Sequence, residues 1–533
     1  MKKFKYMFIL LFLASAFYSC EDFLNEESKN SATVDYLQST PEGLLNECVA
    51  LYNLDRSLIP TSESTLFSIL LDRGTDIDVF RAGGGAALFK YDNIQPNNGD
   101  IAPFWQFHYN IIGKTNEIIT FGKKMQEDGT TDNERLNILK RAIAEASIFR
   151  AKSYFQLLVR YDRINLDTIV VTRDNVNQIT FKPANPDEVL GLIYRDLDTA
   201  MGYLDWKNSD SYKGRFTKGV AKHLKAKVAM WKGDWAEAIK QVDEIDEFGP
   251  YKLLASPKDV FEGADLLHDE AIYTYQFSRQ RGGGAGHRLP LIYTPVFYNI
   301  NGFKQDLSLG GYAWGRSFPN AHLISLYDQT KDTRYKQFFR HSYEWVYMFP
   351  EILPPGKVLG QEASVSNSSF LQYKHTSSLK HFDKWSRISA SETVSYKDVI
   401  AFRLAETYLL GAEAYMRKNG GNDQKALYYY NKTWMRAGND KFNGPLTEEI
   451  ILDEHARELH LEGVRFEILK RTGKFIEYVR AYGGETKAEA ISGDFTFPRK
   501  NIKDHHVRWP IPLVQIEQMG GESVFPQNEG YQK

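Results

Sequence analysis

A chain of 533 residues with 42% hydrophobic and 25% charged residues has the material for a sizeable core under an ordinary soluble surface. Its formal net charge of −2, with no basic tract, lacks the electrostatic footprint of a nucleic-acid binder. Aromatics reach 14%, a high share that bears on ligand binding, and the length allows several domains or one large helical one.

The N-terminus carries the strongest local signal. Lys2, Lys3 and Lys5 precede an apolar run from Met7 to Phe17, too short to span a bilayer as a mature helix. Ala14, Ser15 and Ala16 follow in that run, and Ser19 sits directly before Cys20. This pattern resembles a bacterial lipoprotein cleavage site, with Cys20 as the lipid-bearing residue. Phe17 stands where Leu is usual, and the alternative is an ordinary secretory signal with an incidental cysteine. Residues 1–19 are thus expected to be a signal peptide, and 20–40 an acidic, lipid-anchored tether that opens Glu21-Asp22-Phe23. Removing three lysines with the signal leaves 63 basic against 68 acidic residues, a mildly acidic surface. Cys48 is the remaining cysteine, so a lipidated Cys20 leaves no disulfide framework.

Residues 57–102 are rich in Gly, Ser, Asn and aromatics without helical period and are expected to be ordered loops. Trp105, Tyr109, Ile112, Asn116 and Ile119 then recur on one helical face. A second helix is predicted from about Asp132 to Tyr161, and Pro186-Asp187 opens a third. Gly219–Lys232, the turn Gly233-Asp234, and Trp235–Ile245 form a helical hairpin with Ala226, Ala229 and Ala238 at its crossing. The same pattern returns in Leu404–Arg417 and Gln424–Arg436, with Ala412 and Ala426 in the small positions; both read as tetratricopeptide-like repeats. Between them, 262–400 is again loop-rich, with a strand-like run from Ala271 to Phe277.

Catalytic constellations do not rise above background. His455 and His460 lack zincin spacing, His505-His506 lacks a third ligand on its element, and Gly83–Gly85 and Gly282–Gly284 lack a phosphate loop's Lys-Ser/Thr. Neither a metal nor another cofactor is expected. Asp72, Asp76 and Asp78 are more simply read as hydrogen-bonding groups than as an acid/base pair.

The Cys20 start, the Trp105–Asn116 helix and Ala144-Glu145-Ala146 to Tyr161 resemble the SusD/RagB-like family of outer-membrane nutrient-binding lipoproteins. So do Arg403-Leu404-Ala405-Glu406, Arg436-Ala437-Gly438, the run Glu454 to Phe466, which looks like that family's C-terminal helix, and the close Trp509-Pro510-Ile511-Pro512 with Gln527–Tyr531. The resemblance spans Cys20 to Tyr531, and the order of its loose motifs is what makes it specific. It implies a mainly α fold of about four tetratricopeptide-like helix pairs under a loop-rich face with short strands. Residues 41–533 would then form one domain, with a helical core near 41–56, 103–250 and 401–480 and ligand-facing loops near 57–102 and 262–400. It also implies a non-enzymatic, lipid-anchored cell-surface protein that delivers oligosaccharide to a SusC-like TonB-dependent transporter. A peptide or glycopeptide binder of the same system, a surface glycosidase and a purely structural repeat scaffold are the rivals.

Sugar binding needs aromatic faces for pyranose C–H surfaces and planar polar groups for vicinal hydroxyls. The two loop regions supply both. The first holds Asp72, Arg73, Phe80, Arg81, Phe89, Tyr91 and Asn93; the second holds Phe297, Tyr298, Tyr312, Trp314 and Arg316. Trp314, flanked by Gly311 and Gly315, is the preferred single residue.

Overall fold

The computed structural model describes residues 34–59, 72–81, 86–99, 101–129, 132–280, 284–485 and 495–531. The expected signal peptide, Cys20, most of the expected tether, Gly83–Gly85 and Gly282-Gly283 lie outside these residues.

Local chemistry sets the helix ends. Asp132 accepts from the Glu134 amide (2.9 Å) and opens a helix over Asn133–Arg160; Asn185 does the same for Asp187 (2.9 Å) ahead of Pro186–Tyr203. Lys218–Lys232 stops at Gly233 in the left-handed region (φ 78°), and Asp234 at once caps Trp235–Phe248. Asp423 accepts from Lys425 and Ala426 amides (2.8 and 2.9 Å) to start Gln424–Arg436.

The long helices are α1 (Pro41–Arg56), α2 (Ala102–Glu127), α3 (Asn133–Arg160), α4 (Pro186–Tyr203), α5 (Lys218–Lys232) and α6 (Trp235–Phe248), then α7 (Leu404–Asn419) and α8 (Gln424–Arg436). From α2 onward each packs on the next in the series, and α1 lies across α2 and α3. This is the mainly α, tetratricopeptide-like stack that the repeat pattern predicts. Its crossings are close: Ala226, Ala229, Ala238, Ala412 and Ala426 are fully buried. A Cβ at Gly411 would come within 2.7 Å of Val242 and 3.0 Å of Tyr429, which fixes glycine where α6, α7 and α8 meet.

Between α6 and α7 the chain leaves the stack and returns. β2 (Ala271–Tyr275) pairs antiparallel with β6 (Val399–Arg403), so the excursion starts and ends at one place and α7 resumes beside α6. Within it, β3 (Ser317–Pro319) pairs with β1 (Asp78–Phe80), and β4 (Phe339–Arg340) with β5 (Ser377–Ser378). The excursion buries a core of its own around Phe297, Ile300, Trp345 and Tyr347. Past β3 the chain makes one short helical turn, Ala321–Ser325, capped by Asn320.

The run Glu454 to Phe466 is two helices, not one. α9 (Glu448–Leu459) ends before Leu461 at φ 60° and Gly463 at φ 79°, and α10 (Arg465–Arg471) begins anew. Asp72 makes this break affordable: its carboxylate accepts from the amides of Leu461 (2.5 Å) and Arg465 (3.0 Å).

α9 also organises a buried ion cluster. Arg403 reaches Glu270 (2.9 Å), Glu458 (2.7 Å) and Glu462 (2.5 Å); Arg334 reaches Glu454 (2.7 Å) and Glu458 (2.8 Å); Arg436 reaches Glu270 (2.6 Å) and Glu458. These groups join the sheet, the stack and the loop excursion into one scaffold, because each charge buried there requires its partner.

Candidate functional site

The first loop cluster faces inward. Asp72 caps α10 as described, and burial pushes its carboxyl up to about 7 against the amides of Arg465 and Leu461. Asp76 receives a two-pronged contact from Arg465 (2.8 and 2.5 Å). Asp78 accepts from the Ser317 hydroxyl (2.6 Å), with burial again raising it to about 7. Arg73 lies 3.6 Å from the centre of the Phe80 ring, itself against Phe89. Tyr91, at φ 53°, donates to the Gly74 carbonyl and stacks on His506 at 5.3 Å. Arg81 donates from Nε to the Gly315 carbonyl (2.9 Å), tying the first cluster to the second. Asn93 is exposed, also with positive φ (54°).

The second cluster is built on a ledge of backbone. The Trp314 amide donates to Leu291 O (2.8 Å) and the Tyr312 amide to Ala390 O (2.7 Å). Arg387, buried, donates to Gly310 O (2.5 Å), and Gly311 at φ 61° lets its guanidinium approach. On this ledge Tyr298 and Tyr312 are half-exposed and near-parallel, ring centres 6.2 Å apart at 22°. The Tyr298 hydroxyl donates to Ala313 O (3.1 Å), which fixes its ring. Two near-parallel, half-exposed rings held by backbone clamps form a preorganised aromatic surface for flat apolar groups. Trp314 is half-buried, packed on the main core with the Arg288 guanidinium 5.6 Å from its ring. Arg316 is half-buried beside β3, and Phe297 is fully buried on Trp345 at 5.2 Å.

Sequence reasoning passed over Trp385, 36% exposed, and the Arg387 clamp next to it. Both lie in Asp383-Lys384-Trp385-Ser386-Arg387, where a tryptophan set among charged residues was the signal available. Asp383 accepts from the Trp385 and Ser386 amides (both 2.9 Å) and so turns the chain sharply outward there.

An interior cavity between α2, α3, α5 and β6 is lined by Lys152, Lys227, Glu462, Glu467 and His108. Its charges are matched pairwise: Lys152 donates to Asp55 (2.6 Å), Lys227 to Glu406 and Glu467, and Glu462 accepts from Arg403 and Lys380. Among the described residues no group of three or more His, Cys, Asp and Glu is placed to hold a metal ion. No helix there is long and apolar enough to cross a membrane.

A tetratricopeptide-like stack with a buried network of paired charges, carrying an inserted loop face on which Tyr298, Tyr312 and Trp385 reach solvent, is the class of protein these elements define. The SusD family model matches residues 269–531, and the chain is SusD/RagB-like. SusD-like protein P25 of Formosa agariphila is 22% identical over 97% of this chain and 97% of its own length. Starch-binding protein SusD of Bacteroides thetaiotaomicron is 34% identical over 134 residues, 25% of this chain and 22% of that protein. The solved structure of a laminarin binding SusD-like protein superposes with a TM-score of 0.70 at 22% identity, covering 92% of this chain and all of that one.

Proposed function

We propose that the chain is a cell-surface glycan-binding lipoprotein that captures oligosaccharide and hands it to a SusC-like TonB-dependent outer-membrane transporter. The Tyr298–Tyr312 platform carries this reading, since near-parallel half-exposed rings on rigid backbone suit stacking on pyranose faces. Arg81 ties the first loop to the ledge at Gly315, half-buried Trp314 and Arg316 follow Tyr312 on the same segment, and Asn93 offers an amide on the neighbouring loop. Asp72, Arg73, Phe80 and Tyr91 serve this site by holding the loop that pairs β1 with β3. Similar proteins point the same way: one is a starch-binding protein and another a laminarin binding one. Lipid on Cys20 anchors the protein, with residues 1–19 removed and 20–40 as tether. The protein acts by binding, not by catalysis.

Calorimetric titration of the purified protein in detergent against starch, laminarin and other polysaccharides tests the glycan reading, with Tyr298→Ala and Tyr312→Ala beside it. Saturable binding that either variant weakens about tenfold supports the platform. Binding to peptides instead, or unchanged binding in both variants, contradicts it. Co-purification with a β-barrel transporter from outer membranes tests the partnership, and its absence under mild detergent counts against it.

A further inference from the structure

A cleft adjoins the platform across the 308–312 segment. Ser308 lines the cleft, while Tyr312 belongs to the platform. Arg340 holds the shared wall, donating to Leu309 O (3.0 Å) and Ser308 O (3.1 Å). Phe382 and Trp385 form its aromatic side, ring centres 6.0 Å apart and edge to face.

The charges of this cleft are unusual for a chain whose net charge is −2. Lys384 is exposed at the rim, its ammonium 5.4 Å from the centre of the Trp385 ring. Neither Lys384 nor Arg340 has a carboxylate within ion-pair distance among the described residues. Lys397 lies behind the indole, buried, donating to the carbonyls of Phe261 (2.6 Å), Phe382 (2.8 Å) and Lys380 (3.3 Å). The facing carboxylates are engaged elsewhere: Glu344, whose charge acts on Arg340 from beyond ion-pair distance, accepts from the His341 amide (2.6 Å). Glu262 pairs with Lys258 (2.9 Å), Glu462 with Lys380 (2.6 Å) and Arg403, and Asp383 accepts from its own turn and from Ser395 (2.8 Å). The cleft therefore presents an aromatic wall with surplus positive charge. A neutral sugar asks for carboxylates and amides to bridge its hydroxyls; uncompensated cations beside an aromatic face match a ring that brings negative charge.

We propose that this cleft is a subsite for a sugar ring carrying an anionic substituent, a carboxylate or a sulfate ester, of a glycan that also lies on the Tyr298–Tyr312 platform. The proposal rests on reading that platform as a glycan surface. Lys384 and Arg340 supply the charge, and Trp385 supplies the apolar contact.

Matched polymers test it on the purified protein in detergent: dextran sulfate against dextran, and polygalacturonate against its methyl ester, with laminarin and starch as further neutral glycans. Dissociation constants are measured at low and at physiological salt for wild type, Lys384→Gln, Trp385→Ala and Tyr312→Ala. The expected result is a preference of at least about tenfold for one charged polymer over its uncharged counterpart, weakening with salt. Which pair shows the preference distinguishes sulfate from carboxylate. Lys384→Gln, at an exposed position that leaves folding intact, removes most of that preference and leaves neutral binding unchanged. Trp385→Ala weakens the charged polymer, and Tyr312→Ala weakens charged and neutral glycans together. Equal affinity within both pairs, or a preference that survives Lys384→Gln, overturns this inference alone. Binding of no polymer at all overturns it together with the glycan reading.

Discussion

Glu458 accepts contacts from Arg334, Arg403 and Arg436 with its side chain fully buried. Burial by itself would raise its pKa, but Arg436, Arg403 and Arg334 hold the carboxyl well below the usual range. Replacing it by Gln leaves three guanidinium groups short of a partner. Glu458→Gln is expected to cost about 3–5 kcal/mol, read as a fall in urea midpoint. Glu413 behaves alike: burial would raise it, yet Arg471 and Arg417 bring it down to about 2 from 4.5. A depressed carboxylate contributes stability that is present above 4.5 and lost as pH falls toward 2, so these glutamates set the acid limit of the fold. Asp78 has the opposite sign. Burial raises it to about 7, against the Ser317 hydrogen bond and the Arg73 charge, so its contribution is full below 3.8 and lost as pH rises to about 7. Asp78→Asn is therefore expected to gain on wild type between pH 4 and pH 8 in paired urea titrations; a constant difference would contradict it. These roles were not legible in sequence. Arg403, Arg436, Glu454 and Glu458 stand out as motif residues, but a motif does not say that its charges face one another across elements far apart in the chain. The loop from Asp72 to Asn93 has no period to tell which side chains turn inward, and a distant helix start, α10, decides the matter for Asp72.

At the scale of elements the helices were legible because their signals are local. Asp132, Pro186, Gly233 and Asp423 stand at the ends where the chain turns, and the small residues mark the crossings. Asp423→Ala is expected to cost about 0.5–2 kcal/mol through loss of the α8 cap, seen in thermal melting. Gly411→Val is expected to cost at least about 1–3 kcal/mol, because the added side chain meets Val242 and Tyr429 at once. Should Gly411→Val melt like wild type, the close crossing of α6, α7 and α8 is wrong. The loop excursion was legible as loop-rich but not in its path. Its pairing of β2 with β6 joins residues over a hundred positions apart, and a two-stranded ribbon leaves only a short alternation in sequence. The break between α9 and α10 was missed because Gly463 alone, inside an otherwise helical run, is a weak stop; Asp72 makes it a strong one.

The whole molecule separates two tasks. The stack and its buried ion cluster hold position, and the inserted loops present rings and charge to solvent. In the proposed mode of binding, ligand meets the ledge carrying Tyr298 and Tyr312, not the helical face. Amide hydrogen exchange on the full protein, with and without a saturating glycan found by titration, tests this most directly. The amides of Tyr312 and Trp314, donated to Ala390 and Leu291, are expected to slow on binding together with those of 385–392, while amides along α7 and α8 keep their rates. Protection confined to the helices, with 298–316 unchanged, would contradict the account.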